Sequence, residues 1–151
     1  MVKQAIITKF KVFESAKSLP NTMYHFTPKK NVKSILKNGL LPKHKPNREY
    51  YTDEFTSNAV YLTDTSLTSS VNLPRTLDFA PVTILKIDIS NLDKNKFVVD
   101  DDYYDMYMKN KPNIDMNVEI HKIDNLLASL DTECSIAYEG EIPKENISVY
   151  K

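Results

Sequence analysis

Glycine is scarce in this chain: Gly39 and Gly140 are the only two in 151 residues. Two glycines so far apart exclude the Gly-rich phosphate loops of the Walker and dinucleotide-binding kinds. Cysteine is scarcer still. Cys134 stands alone, so no internal disulfide forms, and one cysteine with three scattered histidines makes no dedicated zinc set. Arginine is short too, with Arg48 and Arg75 the only two among 20 basic residues. Planar bidentate grip on phosphate or carboxylate favours arginine over lysine, which singles these two out. No stretch approaches the ~20 apolar residues of a membrane span. The opening MVKQAIITKFKVFESAK scatters charge through its apolar residues and lacks the apolar run of about 7–15 residues of a signal peptide. These absences together predict a cytoplasmic protein with no membrane partner and no metal.

What is present is ordinary globular material. Hydrophobic residues make up 41% and charged residues 26%, and the length suits one domain, 1–151, with a proper core. Twenty basic residues balance twenty acidic ones, so the molecule as a whole exerts no net pull on a polyanion and any nucleic-acid contact is local.

Residues 2–13 fit a strand or a short helix. Met23-Tyr24-His25-Phe26 reads as a short aromatic strand. A helix follows: Thr27 caps it, Pro28 takes its first position, Val32, Ile35 and Leu36 share one face, and Gly39 stops it. Residues 42–57 read as a long polar loop carrying Arg48, Tyr50 and Tyr51. Ala59 to Leu62 is a second strand, and residues 64–80 are ambiguous. Val82 to Ile89 alternates as a strand, and Phe97 to Val99 is another. Asp100-Asp101-Asp102 lacks the spacing of a calcium loop and suits a helix start. His121 to Leu130 has helical spacing, and two strands close the chain around an Ile142-Pro143 turn. Short strands mixed with a few helices predict an α+β fold.

Three segments stand out: Tyr24-His25-Phe26-Thr27 before a helix ending in Gly39-Leu40; Val60-Tyr61-Leu62-Thr63; and Glu133 to Ile147 with Gly140-Glu141-Ile142-Pro143 inside it. In this order they resemble the ADP-ribosyltransferase superfamily, in particular its small bacterial and phage members with a His–Tyr–Glu pattern. The opening is also similar to the DarT-type DNA enzymes and, more distantly, to RNA 2′-phosphotransferases. The resemblance implies an ADP-ribosyltransferase-like fold, with short, mostly antiparallel strands in a split sheet. It further implies NAD as co-substrate and transfer of ADP-ribose to a macromolecular acceptor, a protein side chain or a nucleic-acid base.

The roles implied fall on particular residues. His25 holds the nicotinamide-side ribose, Thr27 adds a hydroxyl contact, and Tyr61 stacks on the nicotinamide ring. A glutamate stabilises the positive charge that develops at C1′. Family members place that acid at the start of the third motif's strand. Ser135 occupies the position here, with Glu133 just before it and Glu139 and Glu141 after it. Glu133 is the leading candidate and Glu139 the second. Arg48 and Arg75 are candidates for the NAD pyrophosphate. Two alternatives accompany this reading: an NAD-dependent RNA 2′-phosphotransferase, disfavoured by the shortage of arginine, and a catalytically silent module binding a nucleotide or a partner protein.

Overall fold

The computed structural model of the protein describes residues 17–44, 58–64, 76, 77 and 80–151. The fold is α+β, an open antiparallel sheet with a few helices. Strand β1, Thr22–Pro28, is followed by a 3-10 turn at Lys29–Asn31 and helix α1, Val32–Asn38. Strands β2 (Lys43–His44), β3 (Asn58–Thr63), β4 (Thr76–Leu77) and β5 (Ala80–Asp88) come next. After β6, Phe97–Val99, helix α2 at Asp101–Tyr103 continues as a π-helical turn, Tyr104–Met108. The chain ends with α3 (Met116–Glu119), α4 (Ile123–Glu133), β7 (Ser135–Tyr138) and β8 (Ile147–Val149).

The sheet has two well-knit halves and one thin seam. β1 pairs with β5 over seven residues, Thr22↔Asp88 to Pro28↔Val82, and β4 and β8 also lie against β5. β3 pairs with β7 from Val60↔Tyr138 to Thr63↔Ser135, β6 pairs with β7, and β2 with β3. β1 and β3 meet at one register pair only, Tyr24↔Thr63. Beyond it the two strands part.

The core follows from the alternation. Leu85 and Ile87 of β5, Val98 of β6 and Ile136 of β7 are fully buried. The amphipathic α4 covers β6 and β7, turning Leu126, Ser129 and Leu130 inward. Burying each of the two leucines contributes about 1.5–3 kcal/mol. Cys134 ends this helix in the left-handed conformation at φ 57°, its N–H bonded to the Leu130 carbonyl at 3.0 Å.

Three sequence expectations need correction. Thr27 and Pro28 do not open the helix. They belong to β1, where Thr27 faces Thr83 and Pro28 faces Val82. Pro28 is the last residue of that strand, and α1 begins four residues later. Leu36 is not on a buried face but 39% exposed, while Val32 and Ile35 pack on the core. Lys43 and His44, read as part of a loop, form β2 against β3, and Glu133 is the last residue of α4. The expectations for residues 2–13 and for most of 64–80 lie outside the described residues.

Candidate functional site

Where β1 and β3 part, a cavity of about 600 Å³ opens, a size typical of small-molecule sites. Asn31, which ends the 3-10 turn, and Ser34, Ile35 and Asn38 of α1 wall it on one side, spaced to share one face. The other walls are β1, β3 and the first residue of β7. His25, Thr27, Tyr61 and Ser135 all line it, together with Cys134. The cavity exists because the Tyr24↔Thr63 pair ends the ladder between β1 and β3.

His25 sits at the parting of the strands. Its Nδ1 lies 2.8 Å from the backbone carbonyl oxygen of Tyr61, 36 residues later in the chain. A carbonyl only accepts, so Nδ1 carries the proton in this bond. The imidazole thus supplies the donor that a continued ladder would have taken from β1. Thr27, two residues on, is 3% exposed.

Tyr61 shares a sheet face with Ala137 of β7 and Val98 of β6, since the registers align these three. Ala137 carries only a methyl group, which leaves the tyrosine ring room to lie across β7. The phenol reaches the start of α2, where its O–H donates to Asp101 Oδ2 at 2.6 Å. Asp101 is 7% exposed. Tyr61 packs in part against the core and is one of the residues that line the cavity.

The neighbouring acid is tied to the other side of the cavity. Asp100 caps α2, its Oδ1 accepting from the Asp102 N–H at 2.9 Å. Burial pushes its carboxyl above the usual range, against the pull of that N–H and of the Ser135 side chain. Ser129, fully buried, locks the corner: its hydroxyl accepts from Asp100 N at 2.9 Å and donates to the Ser135 carbonyl at 2.7 Å. Two consecutive carboxylates therefore stand behind the cavity, one linked to Ser135 and one to Tyr61.

The sequence candidates separate clearly. His25, Thr27 and Tyr61 are brought together on one cavity. Glu133, at the end of α4, is not among the lining residues described, whereas its neighbours Cys134 and Ser135 are. Glu139 follows β7 at its far end, with its N–H on the Lys96 carbonyl at 2.8 Å. Its side chain is exposed, and its carboxyl is raised by desolvation, with nearby His121 opposing. Glu141 is exposed. Arg48, Arg75, Tyr50 and Tyr51 lie outside the described residues. Among the described residues no cluster of histidine, cysteine or acid could hold a metal ion, and no helix is long and apolar enough to cross a membrane.

Sequence reasoning saw in Asp100 and Asp101 only a helix start and missed their contacts with the cavity residues Ser135 and Tyr61. The available signal was three acids placed directly after a wholly apolar strand, where at least one must enter the interior. Comparison with protein-family models, with curated proteins and with solved structures gives no significant match.

Proposed function

We propose that this chain is an NAD-dependent mono-ADP-ribosyltransferase whose cavity takes the nicotinamide end of NAD. The observation that carries the proposal is the convergence of His25, Thr27 and Tyr61 on one cavity at the parting of β1 and β3. An imidazole suits a ribose hydroxyl, and an aromatic face suits a flat ring bearing positive charge.

In this reading the bond from C1′ to the nicotinamide nitrogen breaks, and nicotinamide leaves neutral with the bonding electron pair. A lone pair on the acceptor then closes on C1′, and the acceptor's proton passes to solvent. The chain's own contribution is to hold the ribose and ring in place and to keep negative charge near C1′. Asp100 and Asp101, behind Ser135 and Tyr61, are the carboxylates tied to cavity residues. Glu133, one residue before the cavity lining, is the alternative source of charge. The acceptor is a protein side chain or a nucleic-acid base.

The test is incubation with adenylate-labelled NAD and cell lysate or mixed nucleic acids, with His25→Ala alongside. Label on a macromolecule from the wild type alone supports the transferase, and its absence under all acceptors removes it. A second reading, a silent NAD-binding module, is favoured by Ser135, which stands where the resemblance places the acid. It requires NAD binding without release of nicotinamide.

A further inference from the structure

We propose that Asp101 makes this cavity selective for a flat cationic ring, acting through the phenol of Tyr61. This inference rests on the nicotinamide reading of the cavity and names how that site tells an oxidised pyridinium from its neutral reduced form.

The argument begins with the geometry of one bond. The Tyr61 O–H donates to Asp101 Oδ2 at 2.6 Å, within the short range of O–H···O⁻ hydrogen bonds. A phenol that shares its proton with a carboxylate gains electron density on oxygen, and the ring shares that gain. Tyr61 lines the cavity, and a ring polarised in this way carries a more negative face than that of an ordinary tyrosine. The carboxylate is 7% exposed, so water screens its charge little. Both effects point the same way. A positively charged ring on Tyr61 is attracted by the tyrosine face and by the carboxylate behind it, whereas a neutral ring of the same outline gains neither.

The surroundings hold the arrangement. Asp101 stands in the first turn of α2, where a carboxylate is favourably placed, and the Asp100 cap fixes that turn. Ala137, between Tyr61 and Val98 in register, leaves the ring its path across β7. His25 holds the Tyr61 backbone from the other side at 2.8 Å. Tyr61 is thus fixed at its carbonyl and at its hydroxyl, and its ring has little freedom to turn away. Asp101 acts through Tyr61 and is a positioning residue; the ring itself meets the ligand.

The experiment is calorimetric binding of oxidised and of reduced nicotinamide adenine dinucleotide to the full chain, as wild type, Asp101→Asn and Tyr61→Phe. The wild type is expected to bind the oxidised form about tenfold or more tightly over the reduced one, as a single well-placed cation–π contact allows. Asp101→Asn is expected to lose most of that ratio, and Tyr61→Phe the part carried by the polarised ring, each by weakening the oxidised form while the reduced form stays put. A purely structural role for Asp101 would weaken both forms alike. Unchanged ratios in both variants overturn the proposal, and so does equal binding of the two forms by wild type, which leaves the nicotinamide site itself standing. Failure of wild type to bind either form removes the nicotinamide reading and this inference with it. Selective binding without transfer of label supports this inference and removes the transferase. Should Asp101→Asn fail to fold, Tyr61→Phe, which keeps the ring and deletes only the hydroxyl, carries the test alone.

Discussion

The imidazole of His25 and the backbone carbonyl of Tyr61 meet at 2.8 Å, and that bond stands where the ladder between β1 and β3 has stopped. One side chain thus both supports the strand and faces the cavity. Replacing it by alanine orphans a part-buried carbonyl, a loss of about 1 kcal/mol. We expect His25→Ala to remain folded, with a modestly lower urea midpoint, and to lose NAD turnover. Turnover at the wild-type rate would take His25 out of the site.

Gly39 allows no substitute. Its φ is 85° with ψ 177°, a region open in practice to glycine alone. A Cβ built there would lie 2.6 Å from the Ile142 carbonyl oxygen. That oxygen accepts from Leu40 N at 2.9 Å, and Ile142 N returns the bond to Leu40 at 2.9 Å. Gly39→Ala should cost about 3 kcal/mol from backbone strain and the lost bridge. Equilibrium denaturation measures it, and a change under ~1 kcal/mol would contradict the stated geometry.

Ser129 holds the acid corner to the first residue of β7. Ser129→Ala leaves the Asp100 N–H and the Ser135 carbonyl each short of a partner. Loss of stability by about 2–4 kcal/mol is expected, at the upper end for a buried hydroxyl because two groups are orphaned. Ligand affinity should fall as well, since Ser135 lines the cavity. A destabilised variant with intact affinity would show that the cavity does not depend on this corner.

Asp100 gives a pH signature. Its folded-state carboxyl is raised, chiefly by burial. The folded protein therefore holds that proton more tightly than the unfolded chain does. Its contribution to stability is full below the ordinary aspartate range and is lost as pH rises through the raised folded value. Asn at this position keeps an oxygen for the Asp102 N–H and has no such dependence. The stability of Asp100→Asn relative to wild type should grow as pH climbs from about 3.5 to 7. Urea midpoints across that range check it, and a flat difference would remove the buried charge as its cause.

Cys134 occupies a left-handed position at φ 57° that costs an L-residue about 1 kcal/mol. Cys134→Gly should therefore stabilise the fold by up to about 1 kcal/mol, less the packing lost with the side chain. A lower melting temperature in that variant would mean the thiol contributes more than the strain costs.

Some of this architecture was legible in the residues. The alternation through Leu85 and Ile87 marked β5 because a strand with one buried face needs period two. Gly39 marked the end of α1 because the turn there demands positive φ. Thr27-Pro28 misled because its local capping chemistry is genuine, yet seven cross-strand partners along β5 outweigh one cap. Glu133 falls at the end of α4 for a different reason. The helix-to-strand break falls on a left-handed cysteine, a residue type that gives no local warning of that conformation. The pattern named both His25 and Tyr61, which meet on one cavity, but not the acid that meets the Tyr61 phenol. Asp101 lies 40 residues from Tyr61, and only the sheet register brings the two into contact.

The lone rung between Tyr24 and Thr63 makes the seam a reporter as well as a site. With one half of the sheet anchored through β5 and the other through β7, any molecule that wedges into the opening bears on the angle between them. Amide exchange at β1 and β3 next to that rung should respond to occupancy before the interior of either half does. Protection factors there would register a visiting ligand even if no bond in it were ever broken.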